Sequence, residues 1–170
     1  LIADEPLSGL DARRSERLAA TLQESGATRV IAAHDLSPFD VATAVQLRLD
    51  GGRVALTAAS TGPVPPSAHE WRSIPGASGG GAPVVQLIRA TAAGRDVGPS
   101  SLAVMRGTTT LITGDTGSGK STLLHLVAGT LAVDSGERIA APGLRIQLAP
   151  QDPGLLLGAR AARTLVAPSD

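Results

Sequence analysis

The chain opens with three apolar residues, Leu1 to Ala3, that run into two adjacent carboxylates, Asp4 and Glu5. An unbroken apolar run that stops at a polar turn reads as the end of a buried strand. DARRSERLAATLQESG follows, with Leu18 and Leu22 four apart and Gly26 placed to end a helix, so Ala12 to Ser25 is predicted helical. TRVIAAH reads as a second short buried strand. SPFD is expected to start another helix, with Ser37 as N-cap and Pro38 in its first turn. VQLRLDGGRVAL alternates around a DGG turn, which predicts a hairpin. Further on, APVVQLIRAT and SSLAVMRG read as strands, and TTTLITG as a third that ends in GDTGSGKS. KSTLLHLVAGTL is predicted helical, Asp134 to Gly136 a turn, and LRIQLAPQDP a strand running into a loop. No short-period repeat is present.

Between these two patterned stretches the period disappears. From Gly62 to Pro83, ten of 22 residues are glycine or proline, which predicts a linker that is part stiff and part flexible. His69 and Trp71 fall inside it and read as an incidental surface histidine and a tryptophan lying on a neighbouring domain. The flanking stretches do not resemble each other. They read as the back of one α/β domain joined to the front of another.

Composition narrows the class. The hydrophobic share is 42%, but the only aromatic residues are Phe39 and Trp71, so cores must be built from Leu, Val, Ile and Ala. Fifteen basic and fifteen acidic residues cancel, which argues against a surface for nucleic acid or an anionic membrane. There is no cysteine, which excludes disulfides and thiolate metal sites. No stretch approaches the roughly 20 apolar residues that span a bilayer. No basic-then-apolar leader opens the sequence. The expectation is a soluble intracellular piece. Fourteen of the fifteen basic residues are arginine, so the single lysine, Lys120, needs a reason.

That reason is a phosphate loop. Gly114-Asp115-Thr116-Gly117-Ser118-Gly119-Lys120-Ser121 fits G-x-x-x-x-G-K-[ST] at each defined position, after a predicted strand and before a predicted helix. Glycines let the backbone wrap phosphate oxygens with no Cβ in the way. Successive N–H groups and a helix N-terminus then face a polyanion. Lys120 supplies a compact charge for the β- and γ-phosphates where a planar arginine fork would be bulkier, and Ser121 offers a hydroxyl to Mg²⁺. Asp4, at a strand end, could hold Mg²⁺ through water, and Glu5 could polarise an attacking water. His125, on the helix after the loop, reads as a partly buried, hydrogen-bonded helix residue.

LIADEP followed by LSGLD, then VIAAHD after an intervening helix, resembles the ATP-binding cassette (ABC) ATPases. In that family these are the Walker B strand with its catalytic glutamate, the D-loop and the switch histidine. The resemblance implies catalytic roles for Glu5 and His34, a metal-holding role for Asp4, and a D-loop at Ser8, Gly9, Leu10 and Asp11. GDTGSGKST resembles the family's Walker A, which implies nucleotide contacts from Gly114 through Thr122. LAPQDP resembles its Q-loop, which implies Gln151 as a further Mg²⁺ residue beside Asp4 and Ser121.

The implied fold is the α/β P-loop NTPase fold of the family, in pieces. Residues 1–58 would be the C-terminal part of a first nucleotide-binding domain, 59–82 the linker, and 83–170 the N-terminal β-subdomain and P-loop portion of a second. On that reading Asp4 and Glu5 serve a phosphate loop upstream of Leu1, not Lys120, while Ser8 and Asp11 reach toward Gly114 to Ser121. Neither copy of the family's LSGGQ signature is present, so negligible ATP turnover is expected from this piece alone. The family's adenine-stacking aromatic is also missing from RATAAGRD, where Arg95 or an apolar contact would have to substitute.

The implied activity is ATP hydrolysis with Mg²⁺ that powers transport, in partnership with membrane-spanning subunits and a second cassette in the same polypeptide, at the cytoplasmic face of the membrane. Tandem cassettes without a membrane span resemble the ATPase component of importers, particularly the energy-coupling-factor type. LLLGARAART resembles the segment where such cassettes meet their membrane partner. The alternatives are a soluble ABC ATPase of translation or DNA maintenance, which neutral charge disfavours, and an inactive piece that only binds nucleotide. A circularly permuted GTPase would need an N-K-x-D element, which a chain whose only lysine is Lys120 cannot contain.

Overall fold

A computed structural model describes residues 1–24, 26–56, 82–92, 97–149 and 151. The linker, with His69 and Trp71, lies outside the described residues, as do Arg95 and LLLGARAART.

Among the described residues, nine strands and two helices follow one another as β1 (Ile2–Asp4), α1 (Ala12–Glu24), β2 (Arg29–Ala32), β3 (Val45–Asp50), β4 (Arg53–Leu56), β5 (Pro83–Ala92), β6 (Val97–Met105), β7 (Thr109–Thr113), α2 (Lys120–Ala128), β8 (Ser135–Ala140) and β9 (Leu148–Ala149). They form two sheets. The larger has the order β4-β3-β7-β2-β1-β9, and the smaller has the order β6-β5-β8. All neighbours in the larger sheet are parallel except the β3–β4 hairpin at its edge.

The larger sheet draws strands from both sides of the linker. β7 lies between β2 and β3, with Val30 opposite Thr110 on one side and Val45 opposite Thr110 on the other. The two stretches therefore share one sheet, where the sequence reading placed them in two nucleotide-binding domains. Strand periodicity explains why they fit. Successive side chains of a strand point to opposite faces. Val30, Ala32 and Ile112 enter the core shared with α2 and the smaller sheet, where they meet Leu47, Leu87, Leu102, Leu123 and Leu126. Ile31, Ala33 and Leu111 face the other way, toward Ala19 of α1 and Phe39. An apolar run covered on both faces is the pattern of a central parallel strand.

Local expectations fare unevenly. α1 begins and ends within a residue of its predicted bounds. Asp11 caps it by accepting from the Arg14 N–H at 2.9 Å. The DGG hairpin forms, with Gly51 and Gly52 both at positive φ, as a two-residue turn of this twist requires. The helix expected from SPFD does not. Ser37 instead binds the Asp35 carboxylate through its N–H and hydroxyl, and a single 3₁₀ turn at Val41–Thr43 is capped by Asp40. The stretch is too short for a helix before the chain must extend again at Val45. The expected turn at Asp134 to Gly136 instead leads directly into β8, which adds a third strand to the smaller sheet beside β5. The last predicted strand shrinks to Leu148–Ala149.

Candidate nucleotide site

The parallel strands deliver their C-terminal ends to one edge of the larger sheet. Open α/β sheets bind ligands in the crevice at that edge. β7 leads into the glycine-rich loop, β1 ends at Asp4 and Glu5, β2 leads to His34, and Gln151 follows β9. β1 and β7 are separated only by β2, so their ends lie two strand spacings apart, about 10 Å. A cavity of about 290 Å³ fills that interval, lined by Asp4, Glu5, His34, Thr116, Gly117, Gly119, Lys120, Ser121, Thr122 and Gln151.

The loop is shaped by its glycines. Gly117 and Gly119 sit at φ 80° and 98°, which suits a residue without a Cβ. At Gly119 a Cβ would also come within 2.5 Å of Val97 Cγ2. At Gly114 it would come within 2.4 Å of the Leu49 carbonyl oxygen, so the loop lies directly on β3. Gly119 is the N-cap of α2 and offers no side-chain acceptor to the helix. The first-turn N–H groups of α2 have no acceptor within the helix, and Lys120, Ser121 and Thr122 of that turn line the cavity. The far end of α2 is closed. The Gly129 N–H donates to the carbonyls of His125 and Leu126, and Arg138 Nε and Nη2 donate to the Val127 carbonyl at 3.0 and 2.8 Å. A guanidinium at a helix C-terminus complements the helix dipole. His125 is half-buried and shares a 2.7 Å hydrogen bond with Thr130, as expected of a helix residue.

Lys120 is buried, and its ammonium donates to the carbonyls of Gly114 at 2.9 Å and Asp115 at 3.2 Å. It also stands 3.7 Å from Glu5 Oε1. The sequence reading assigned Asp4 and Glu5 to a loop upstream of Leu1; here they share a cavity with the loop that holds Lys120. They face Lys120 because the sheet order brings the two strand ends together, whatever their order along the chain.

Glu5 is held in an uncommon backbone conformation, φ 48°, which a non-glycine residue adopts at a cost. Its N–H donates to the Ala32 carbonyl at 2.8 Å, which anchors β1 to β2 at the site. Its Oε2 accepts from the His34 N–H at 3.2 Å, and its Oε1 lies 3.6 Å from His34 Nε2. The same ring nitrogen is 3.2 Å from Thr116 Oγ1 in the loop. His34 thus touches both the acidic and the loop sides of the cavity.

Among the described residues, Asp4 Oδ1, Glu5 Oε1, Ser118 Oγ and Thr110 Oγ1 are buried side-chain polar atoms without a hydrogen-bond partner. The first three belong to this site. Such atoms are rare in folded proteins and ask for an external partner. The buried Asp4 oxygen shares its cavity with the Ser121 hydroxyl and the Gln151 amide. An all-oxygen set with one carboxylate fits Mg²⁺, which commonly takes its remaining ligands from phosphates and water. No cluster of three or more His, Cys, Asp or Glu suited to hold a metal by itself occurs among the described residues.

The expected D-loop residues lie elsewhere. Ser8 and Leu10 line a neighbouring cleft of about 560 Å³, which shares Glu5 and His34 as a common wall. Gly9 turns the chain at φ 76°, and Asp11 caps α1. Ser8 and Asp11 do not line the cavity around Gly114 to Ser121, where they were expected. Val97 and Leu49, which wall the loop at Gly119, carry no motif and become visible only through the packing.

Comparison with known proteins agrees with the second stretch. The ABC transporter family model matches residues 97–163. The zinc import ATP-binding protein ZnuC of Ruegeria pomeroyi is 51% identical over 51 residues, which are 30% of this chain and 20% of that protein. The chain therefore matches about a fifth of the length of that curated relative. No solved structure matches. The match to the ABC transporter family model is thus confined to residues 97–163, within a mixed α/β fold.

Proposed function

We propose that the chain binds ATP with Mg²⁺ and belongs to the ATPase component of an importer-like ABC transporter. The observation that carries this reading is the cavity that Lys120, the neighbouring Thr116, Gly117, Gly119, Ser121 and Thr122 of the loop, and the Asp4–Glu5 pair share. The loop and the first turn of α2 would hold the triphosphate through backbone N–H groups. Lys120 would turn from the Gly114 and Asp115 carbonyls to the β- and γ-phosphates. Asp4, Ser121 and Gln151 would hold Mg²⁺, which offsets the charge on the phosphates. Glu5 would accept the proton of the attacking water, with His34 fixing the carboxylate through its N–H and meeting the γ-phosphate side through its ring. Ser8 to Asp11 would serve as a D-loop toward a second cassette.

Two tandem cassettes in the parent polypeptide, membrane-spanning partner subunits and a place at the cytoplasmic face of the membrane complete the proposal. The likeness to a zinc import ATP-binding protein supports the importer reading. No helix among the described residues is long and apolar enough to cross a membrane; on this reading separate subunits would provide the span. A soluble ABC ATPase of translation or DNA maintenance is the second reading. Its nucleic-acid partners would call for basic surface, and the chain's formal net charge is +0.

Calorimetric titration of the full chain with ATP, with and without Mg²⁺, tests the core of the proposal. Saturable binding that strengthens with Mg²⁺ and is weakened by about tenfold or more in Lys120→Ala is expected. Equal binding by wild type and Lys120→Ala removes the reading.

A further inference from the structure

Two stretches of chain make this site, and the same two stretches make the sheet beneath it. β7 fills the slot between β2 and β3: Arg29 to Ala32 pair with Thr109 to Ile112, and Val45 to Arg48 pair with Thr110 to Thr113. β9 adds outside β1, with Ile2 opposite Leu148. Without β7, β2 and β3 would share no neighbour, and their inner edges would expose unpaired backbone groups, a template for another strand.

The seam is apolar on both faces and polar at its ends. Leu111 and Ile112 are fully buried, one against Ile31 and Ala33, the other in the core that holds Val30, Ala32 and Leu47. Just before the strands, the Gly107 N–H donates to Thr28 Oγ1 at 2.8 Å, and at their first residues Arg29 Nη1 donates to Thr109 Oγ1 at 3.2 Å. At the hairpin, the Gly98 N–H and the Ser100 hydroxyl both donate to the Gly52 carbonyl. Every one of these contacts joins 1–56 to 82–149 through residues outside the connection at 57–81.

We propose that segments 1–56 and 82–149 recognise each other as a noncovalent pair, and that the covalent link between them is dispensable for assembling the site. The partner that segment 1–56 accepts is then defined by chemistry: a parallel strand, apolar on both faces, that leads into a phosphate loop. In the tandem arrangement proposed above, such a slot takes the strand of the following cassette, a form of segment exchange. That last step rests on the tandem reading, whereas the pairing itself does not.

A protease site inserted within 57–81 of the full chain provides the test. After cleavage under native conditions, the two pieces are expected to co-elute at the volume of the uncut chain. Leu111→Asp, in the seam, should separate the cut pieces, and Ile139→Asp, on an exposed strand position, should leave them together. Pieces that separate on cleavage of the unsubstituted protein overturn the inference, as do pieces that stay paired despite Leu111→Asp. Nucleotide binding is a distinct readout. A cut pair that holds together but binds no ATP removes the proposed function and leaves the pairing. ATP binding by the isolated C-terminal piece, after separation, removes the pairing and leaves the nucleotide reading.

Discussion

The two stretches that meet at the cavity contribute opposite chemistry. The later one, from Gly114 to Thr122, offers backbone N–H groups and one cation. The earlier one offers two carboxylates and an imidazole. Backbone groups are fixed by loop shape, so their arrangement depends on what a Cβ would strike. Carboxylates are fixed by strand ends, so their arrangement depends on sheet order. A substitution on the loop side should therefore change shape and binding together, while one on the acidic side should change chemistry and spare binding.

Glu5→Gln breaks that symmetry most sharply. Assayed in an intact tandem polypeptide, it should slow ATP hydrolysis by about 100-fold or more, the usual loss when a general base is removed. The amide keeps the size of the side chain and can still accept from the His34 N–H, so ATP affinity should stay within a few-fold. Steady-state turnover and equilibrium binding, measured side by side, check this. Unchanged turnover would remove Glu5 as the base.

Lys120→Ala should come next, with ATP affinity lower by about 10- to 100-fold, the range for charged hydrogen bonds of roughly 1.5–3 kcal/mol. The same variant leaves Glu5 without its nearby ammonium. If folding stability falls together with affinity, the ion pair across the seam matters to the fold as well as to the ligand. Chemical denaturation without nucleotide separates the two effects.

Gly119→Ala tests the loop by shape alone. The new methyl would sit 2.5 Å from Val97 Cγ2, at a φ of 98° that alanine rarely adopts. A cost of about 1–3 kcal/mol is expected, typical of a strained backbone position. Gly117→Ala is the control, since a Cβ there meets nothing within 4 Å and only the φ of 80° is strained. Equal losses for both would mean that Val97 does not press on the loop.

The loop was readable from the sequence because its chemistry is local. Glycine spacing, one lysine and a hydroxyl stand in eight consecutive residues, and no distant contact is needed to see them. The same holds for α1, whose Leu18–Leu22 spacing and Gly26 stop lie in the sequence, and for the Gly51-Gly52 turn. The pairing of Asp4 and Glu5 with Lys120 was not readable. The family resemblance implied separate sites, and only the placement of β7 beside β2 brings the strand ends to one cavity. The SPFD misreading has a similar origin. Ser37 and Pro38 are good helix starters, but the Asp35 carboxylate captures Ser37 first, and Gln23 on α1 exchanges hydrogen bonds with the Asp40 backbone. A tertiary contact overrides the local preference there.

That Asp35–Ser37 turn supplies the smallest expected effect, and it sets a purely local carboxylate against Asp4 and Glu5. The Ser37 N–H donates to Asp35 Oδ1 at 2.8 Å, and its hydroxyl donates to Oδ2 at 2.9 Å. Both bonds favour the charged form, the backbone one more strongly, and hold the Asp35 pKa below its ordinary value of 3.8. A carboxyl group depressed in the folded state adds stability that is present above its unfolded pKa and is lost as pH falls through the lower folded value. The stabilisation is thus fully present at neutral pH, and its pH dependence is confined to pH below about 4. Ser37→Ala removes the hydroxyl and keeps the N–H, so the pKa should rise part of the way back toward 3.8. Carboxyl-carbon NMR titration of wild type and Ser37→Ala measures the shift directly. A titration curve unmoved by the substitution would assign the whole depression to the backbone N–H, and would make the turn, like the phosphate loop, a site built by the main chain.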